Sequence, residues 1–190
     1  MSRVYCALVH HPVRDRAGQT VTTAVTNLDV HDIARSARTY GLARYYVVSP
    51  IEVQHVLVQR IIDHWTTGAG RKRIPERHEA LSLCQSALDL QLVIDDVTTR
   101  EGKRPRIVAT AARSTLPREV TTFAGLRGLL RESDEAFLIL FGTGHGLADS
   151  ILETADVLLE PIVGAGDYNH LSVRAAAAIV LDRLLGAGAA

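Results

Sequence analysis

Two stretches of the chain collect residue types that can do chemistry. The first is "FGTGHGL" (141–147), where Gly142, Gly144 and Gly146 alternate directly after the apolar run "FLILF". Without Cβ atoms, glycines let backbone N–H and C=O groups approach a ligand closely. A phosphate loop would also need a Lys or a helix N-terminus to offset charge, in the spacing GxxxxGK[ST]. Here the pattern is GxGxG with no Lys or Arg between Phe141 and Leu147, so the loop suits adenine or ribose better than a triphosphate. A tight strand-to-helix turn with no ligand is the plain alternative. The second stretch, "TNLDVHDIARSARTYG" (26–41), carries Asn27, Asp29 and Arg35. An amide can bond a base edge, a carboxylate can accept a proton, and a guanidinium can hold an anion. The plain alternatives are a helix cap for Asp29 and an i−3 pair with Asp32 for Arg35.

Four further side chains, His10, His11, His31 and Asp32, are of metal-binding type. Adjacent histidines on a strand end point their rings apart, and no HxxxH or CxxC spacing accompanies them, so no metal is expected. A nucleotide- or metal-dependent hydrolase is the alternative function those residues would carry.

Positioning such residues requires a scaffold, and the hydrophobic pattern describes one. Short apolar runs recur at 3–9, 44–49, 81–84, 106–110, 137–141 and 156–160. Their length and content of Val, Ile, Leu and Tyr predict strands, and the weak polar alternation predicts parallel strands covered on both faces. Between them, residues 28–41 read as a helix ending at Gly41. Residues 50–65 read as a second helix, with Val53, Leu57, Arg60/Ile61 and His64 at helical spacing after Pro50. Residues 86–102 predict a helix capped by Ser86 and closed by Gly102, and 121–133 a shorter one. Residues 169–186 predict a final helix that is apolar on nearly every side, to be buried or paired with another subunit. Alternating strands and helices give an α/β fold with a largely parallel sheet flanked by helices. Ligands bind such sheets at the carboxyl ends of strands, where the glycine loop falls.

The bulk numbers agree with one soluble domain over 1–190. The chain has 190 residues, 47% hydrophobic and 22% charged, enough to build its own core. Lys plus Arg and Asp plus Glu balance at 21 each, so any basic surface must be local. Cys6 and Cys84 lie in strand-like runs and read as buried free thiols. Without a signal-peptide pattern or an apolar run near the ~20 residues of a membrane span, a cytoplasmic protein is expected.

The order of motifs adds a resemblance. A strand followed by FGxGxGL, then "LLEPIVGAG" (158–166), then a polar cap opening an Ala-rich helix (168–185) resembles the ligand-binding half of the SPOUT superfamily of RNA methyltransferases. The run "ALVHHPV … VTTAVTNLDVHDIARSARTYG … FGTGHGL … YNHLSVRAAAAIVLDRLLG" is similar, over essentially the whole chain, to a bacterial family of stand-alone S-adenosylmethionine-dependent RNA methyltransferases. That family also occurs fused to tRNA guanine-N1 methyltransferases. The resemblance implies a C-terminal deep trefoil knot, S-adenosylmethionine as cofactor, tRNA or rRNA as substrate, and a homodimer whose sites are completed between subunits. A knotted RNA-binding protein without catalysis is the second alternative.

The same resemblance assigns residues. Phe141, Gly142, Thr143, Gly144 and Gly146, then Leu159, Glu160, Pro161 and Ile162, then Asn169, Leu171 and Ser172 would hold the cofactor. Arg35 falls on the functional arginine of the ribose-methylating SpoU branch, and with Asp29 and Asn27 would serve the acceptor. The chain departs from that branch in having Asp29 for an asparagine, Gly144 for a glutamate and His170 for an asparagine, which leaves the methylated atom open. RNA needs positive charge, and Arg71, Lys72, Arg73 and Arg77 surround a Gly/Pro loop just after Trp65. They would hold phosphates while the indole stacks on a base, and Arg113 and Arg118 would extend the patch.

Overall fold

A computed structural model describes residues 2–113, 116–166 and 168–188. The chain opens with β1 (Val4–Val9), a small antiparallel hairpin of β2 (Val13–Arg14) and β3 (Thr20–Val21), and α1 (Asn27–Thr39). Next come β4 (Arg44–Val48), α2 (Glu52–Thr66), two short helices α3 (Gly70–Arg73) and α4 (Pro75–Leu81), and β5 (Cys84–Ala87). α5 (Leu90–Glu101), β6 (Arg106–Ala109), α6 (Phe123–Glu132), β7 (Phe137–Gly142), α7 (Asp149–Thr154), β8 (Val157–Leu158) and α8 (Val173–Leu185) complete it.

Six strands form one sheet in the order β5-β4-β1-β7-β6-β8, and every pair in it is parallel. Strand alternation divides the core in two. Cys6, Leu8, Tyr45, Val47, Ile139 and Phe141 face a layer of α1, α2, α4, α6 and α8. Tyr5, Ala7, Tyr46, Val48, Leu138 and Leu140 face α5 and α7. Burial on both faces explains why the strands read as apolar runs rather than alternating ones. Both cysteines are free and buried; burial pushes the Cys84 thiol up to about 12 and raises that of Cys6 as well.

Several local expectations are corrected. The run at 81–84 is not one strand: Leu81 ends α4 and pairing begins at Cys84. The segment at 66–80, read as a Gly/Pro loop, is largely helical, because Pro75 occupies the first turn of α4, where its missing N–H costs nothing. Ser86 lies in β5, and the cap of α5 is Asp89, whose carboxylate accepts from the Leu92 N–H at 2.8 Å. On α2 the buried residues are Val58 and Ile62, while Val53 and Leu57 are exposed. The last helix has one fully buried stripe, Ala177, Val180, Leu181 and Leu184, and its Ala175, Ala176, Ala178 and Ile179 are half-buried. Gly102 closes α5 in the left-handed conformation, as read.

Candidate functional site

Val9 and Gly142 are paired at the ends of β1 and β7, so the glycine loop leaves from the carboxyl edge at the centre of the sheet. It folds back at once. A Cβ on Gly142 would stand 2.5 Å from the Leu147 nitrogen. Gly144 and Gly146 hold φ of +60° and +100°, a region in which other L-residues are strained. The turn is stitched to the hairpin: Arg14 N–H donates to the Gly146 carbonyl and His145 N–H to the Arg14 carbonyl, both at 2.9 Å. Gly146 N–H returns to the Thr143 carbonyl at 3.0 Å, so part of the loop's backbone is committed to the fold itself. The outer side stays open, since a Cβ on Gly146 would meet nothing within 4 Å. The nearby cations, Arg14 and Arg113, both pair with Asp149.

Thr143 anchors the loop from below. Its hydroxyl donates to the Val9 carbonyl at 3.1 Å, and so must accept from the Thr23 hydroxyl. Thr23 in turn accepts from Nδ1 of His10 at 2.9 Å, which fixes the proton on Nδ1 and leaves Nε2 a bare acceptor. His10 is fully buried, and its Nε2 has no partner among the described residues. Burial lowers its pKa to about 4, against the opposing charge of Asp29, so the ring is neutral. This chain of donors ties β1, the glycine loop and the leader of α1 together. Among the described residues no group of three or more His, Cys, Asp or Glu stands together for a metal, so His10, His11, His31 and Asp32 do not form the cluster a metal-dependent hydrolase needs.

The two later segments lie at the ends of β6 and β8. Leu159 N–H donates to the Ala109 carbonyl (2.9 Å) and Glu160 N–H to that of Thr121 (3.0 Å). The Glu160 carboxylate accepts from the Phe123 N–H at 2.6 Å, at the positive end of α6. Asn169 reaches across to donate to the Ala112 carbonyl at 2.8 Å, and Ser172 caps α8 through the Ala175 N–H. Phe141 and Leu159 are buried, so only their backbones can meet a ligand. Ile162 packs on the core and Leu171 is exposed. Glycine loop, 159–162 segment and 169–172 segment therefore gather on the carboxyl side of β6, β7 and β8.

Helix α1 stands beside them. Thr26 caps it through the Asp29 N–H, and the Asp29 side chain is nearly buried against Arg174 of α8, 3.6 Å from its Nε. Asp32 faces the same guanidinium at 3.9 Å. The pairing of Arg35 with Asp32 considered from sequence is thus absent. Arg35 is exposed and makes no ion pair or hydrogen bond among the described residues. Arg174 had no sequence signal beyond its place two residues after Ser172.

The proposed phosphate contacts fall on α3 and α4. Arg71, Lys72 and Arg73 are exposed, whereas the guanidinium of Arg77 lies over the Trp65 ring, 4.8 Å from its centroid. Gly70 presses on the same indole, where a Cβ would come within 2.6 Å of Cε3. Trp65 is therefore packed on its Arg77 and Gly70 sides, and the rest of it lines a cavity rather than standing free on the surface. Arg113 pairs with Asp149 and Arg118 donates to the Ala155 carbonyl, both beside α7, so neither extends the patch on α3. A cavity of about 510 Å3 opens between α1, α2 and α4, away from the glycine loop, with Asn27, His31, Arg60, His64, Trp65 and Arg77 among its lining. Burial and the charge of Arg77 lower the His31 pKa, with Asp32 opposing.

Comparison with known proteins gives consistent matches. Residues 3–186 match the sequence model of a family described as SAM-dependent RNA methyltransferase. An uncharacterized protein of Aquifex aeolicus is 46% identical over 181 residues, covering 95% of this chain and 87% of that protein. A tRNA (guanine-N(1)-)-methyltransferase of Oleidesulfovibrio alaskensis is 45% identical over 183 residues. The match covers 96% of this chain but only 42% of that enzyme, so this chain corresponds to less than half of it. Among solved structures, a TrmH/SpoU tRNA modifying enzyme of A. aeolicus superposes with a TM-score of 0.55 at 14% identity, over 96% of this chain and 73% of that one, and shares its fold.

Proposed function

The chain belongs to the family of S-adenosylmethionine-dependent RNA methyltransferases, and on that premise we propose how its residues divide the work. The cofactor is held by the 141–147, 159–162 and 169–172 segments. The fit is chemical: the loop has no Lys or Arg of its own, its neighbouring arginines are both drawn onto Asp149, and its outer side is open. Such a site suits a ligand with an adenosine and no phosphate. Thr143, Gly142, Gly144 and Gly146 shape the loop, while Asn169 and Ser172 fix the third segment against Ala112 and α8.

S-adenosylmethionine supplies an electrophilic methyl group on a sulfonium, to be displaced in line, so the protein's share is chiefly positioning. Asn27 and Asp29 meet the acceptor nucleotide, Asp29 taking its proton, and Arg35 holds the RNA anion. The observation that carries this arrangement is the contact of Arg174 with Asp29, which joins the start of α8 to the acceptor-side helix. The return of the chain from edge strand β8 to α8, packed on α1 and α6, supports a C-terminal trefoil knot. The free guanidinium of Arg35, the half-buried outer face of α8 and exposed Leu28, Tyr168 and Leu171 support a homodimer that completes each site. The substrate is tRNA or rRNA, tRNA being favoured by the relative of that activity. No described helix is long and apolar enough to cross a membrane, and the chain acts as one cytoplasmic unit.

Calorimetry should show S-adenosylmethionine binding to the protein. Mass spectrometry of nucleosides from tRNA and rRNA, prepared from cells with and without the gene, should show one methylated nucleoside lost from one pool. A protein that binds no cofactor and whose loss leaves every methylated nucleoside in place would sink the assignment.

A further inference from the structure

The cavity between α1, α2 and α4 shares only Asn27 and Leu28 with the arrangement above. Its lining is unusual for a packing defect. Trp65 and Arg77 form a flat wall, the guanidinium lying over the indole at 4.8 Å. His31 and His64 stand edge-on to the same indole, their ring centroids 5.7 and 5.0 Å away. Burial keeps His31 largely uncharged, so it offers hydrogen-bonding nitrogen rather than charge. Arg60 adds a second guanidinium, and the exposed cations Arg71, Lys72 and Arg73 lie on α3 a few residues from Trp65.

Flat cationic and aromatic surfaces beside hydrogen-bonding edges are what holds an unstacked base, with cations near for its phosphates. The volume of about 510 Å3 is within the usual range for small-ligand sites. The cavity adjoins the acceptor side of the site rather than the cofactor loops, since Asn27 lines it and Arg35 lies on the same face of α1. At 100° per residue, Asn27, Leu28, His31 and Asp32 centre about 10° round α1 from Arg35 and about 130° from Asp29.

We propose that this cavity is a nucleobase subsite: it takes one unstacked base of the RNA substrate, a neighbour of the methylated nucleotide, with the flanking phosphates on Arg60 and the α3 cations. The proposal rests on the RNA-methyltransferase reading for the identity of the strand, and its test separates the two.

Trp65 is the only tryptophan in the chain, so indole emission reports on the cavity wall alone. The purified protein is titrated with each of the four nucleoside 5′-monophosphates and with short unstructured RNA, while methyl transfer to total tRNA and rRNA is measured in parallel. A saturable change in emission is expected, with short RNA binding more tightly than mononucleotides. His64→Ala, on an exposed residue, and Arg77→Ala should each weaken binding by about tenfold. Saturation by nucleotides without methyl transfer supports the subsite and counts against the activity. Methyl transfer with Trp65 emission indifferent to RNA overturns the subsite and leaves the activity standing. Emission that follows protein concentration and ignores nucleotide assigns the cavity to a subunit contact, which also overturns it.

Discussion

Arg174 Nε lies 3.6 Å from Asp29 Oδ1, and through that contact the first turn of α8 is held to the first turn of α1. Asp29 is nearly buried and Arg174 about one-third exposed, so removing the cation takes away the one ion-pair partner that Asp29 has among the described residues.

Arg174→Met should therefore destabilise the protein by about 1–3 kcal/mol, below the range for fully buried pairs because Arg174 keeps some water. Its larger effect should fall on kcat rather than on cofactor affinity, with Arg174→Lys recovering part of it. Equal losses in Arg174→Met and Arg174→Lys, both confined to thermal stability, would reduce the pair to a structural tie.

The glycine loop offers a matched contrast. Gly142→Ala puts a Cβ 2.5 Å from the Leu147 nitrogen and must shift the turn, at a cost of about 1–3 kcal/mol and most of the cofactor affinity. Gly146→Ala meets no atom, but its φ of +100° costs about 1–3 kcal/mol of backbone strain. Its cofactor affinity should fall less. Calorimetry of both variants checks the order, and a reversed order would place the ligand against Gly146 rather than along Gly142.

His10 predicts a pH dependence. Its pKa falls from an ordinary 6.5 to about 4 on folding, so between those values the unfolded chain binds more protons. Stability should thus rise with pH through that window, and acidification from about 6.5 to 4 should remove up to about 3 kcal/mol. His31 shifts in the same direction and adds to the slope. His10→Asn keeps a donor for Thr23 while removing the titration. Its melting temperature should depend less steeply on pH below 6.5, and an unchanged slope would show that His10 is not the group responsible.

Replacing Arg71, Lys72 and Arg73 with Gln keeps helix propensity on α3 and removes three exposed charges. RNA affinity should drop, and the slope of log affinity against log salt should flatten by about 2. Melting temperature should not move. A slope equal to that of the parent would make α3 a solvated surface.

Much of this was legible in the sequence because it is local. Four of the six sheet strands fall within their apolar runs and β7 passes its run by one residue, and Thr122, Ser172 and Gly102 end their helices where side-chain chemistry says they should. The misreadings share a cause. At 81–84 an apolar helix end adjoins an apolar strand start, and composition does not mark the boundary. On α2, Val53, Leu57 and Val58 are all apolar, and only the neighbouring helices decide which face is covered. The glycine loop announced itself by composition. Arg174 on Asp29, the donor chain from His10 to Val9, and the wall of Trp65 and Arg77 are tertiary contacts between common residue types, with no spacing that could reveal them.

The two buried thiols make the sheet its own clock. Cys6 sits on a central strand and Cys84 on an edge strand, both free and both held as protonated thiols by burial. An alkylating reagent can reach Cys84 when the β5 edge lifts, but reaches Cys6 only when the middle of the sheet parts. Their separate labelling rates in the intact protein thus divide edge fraying from global opening, without introducing any reporter.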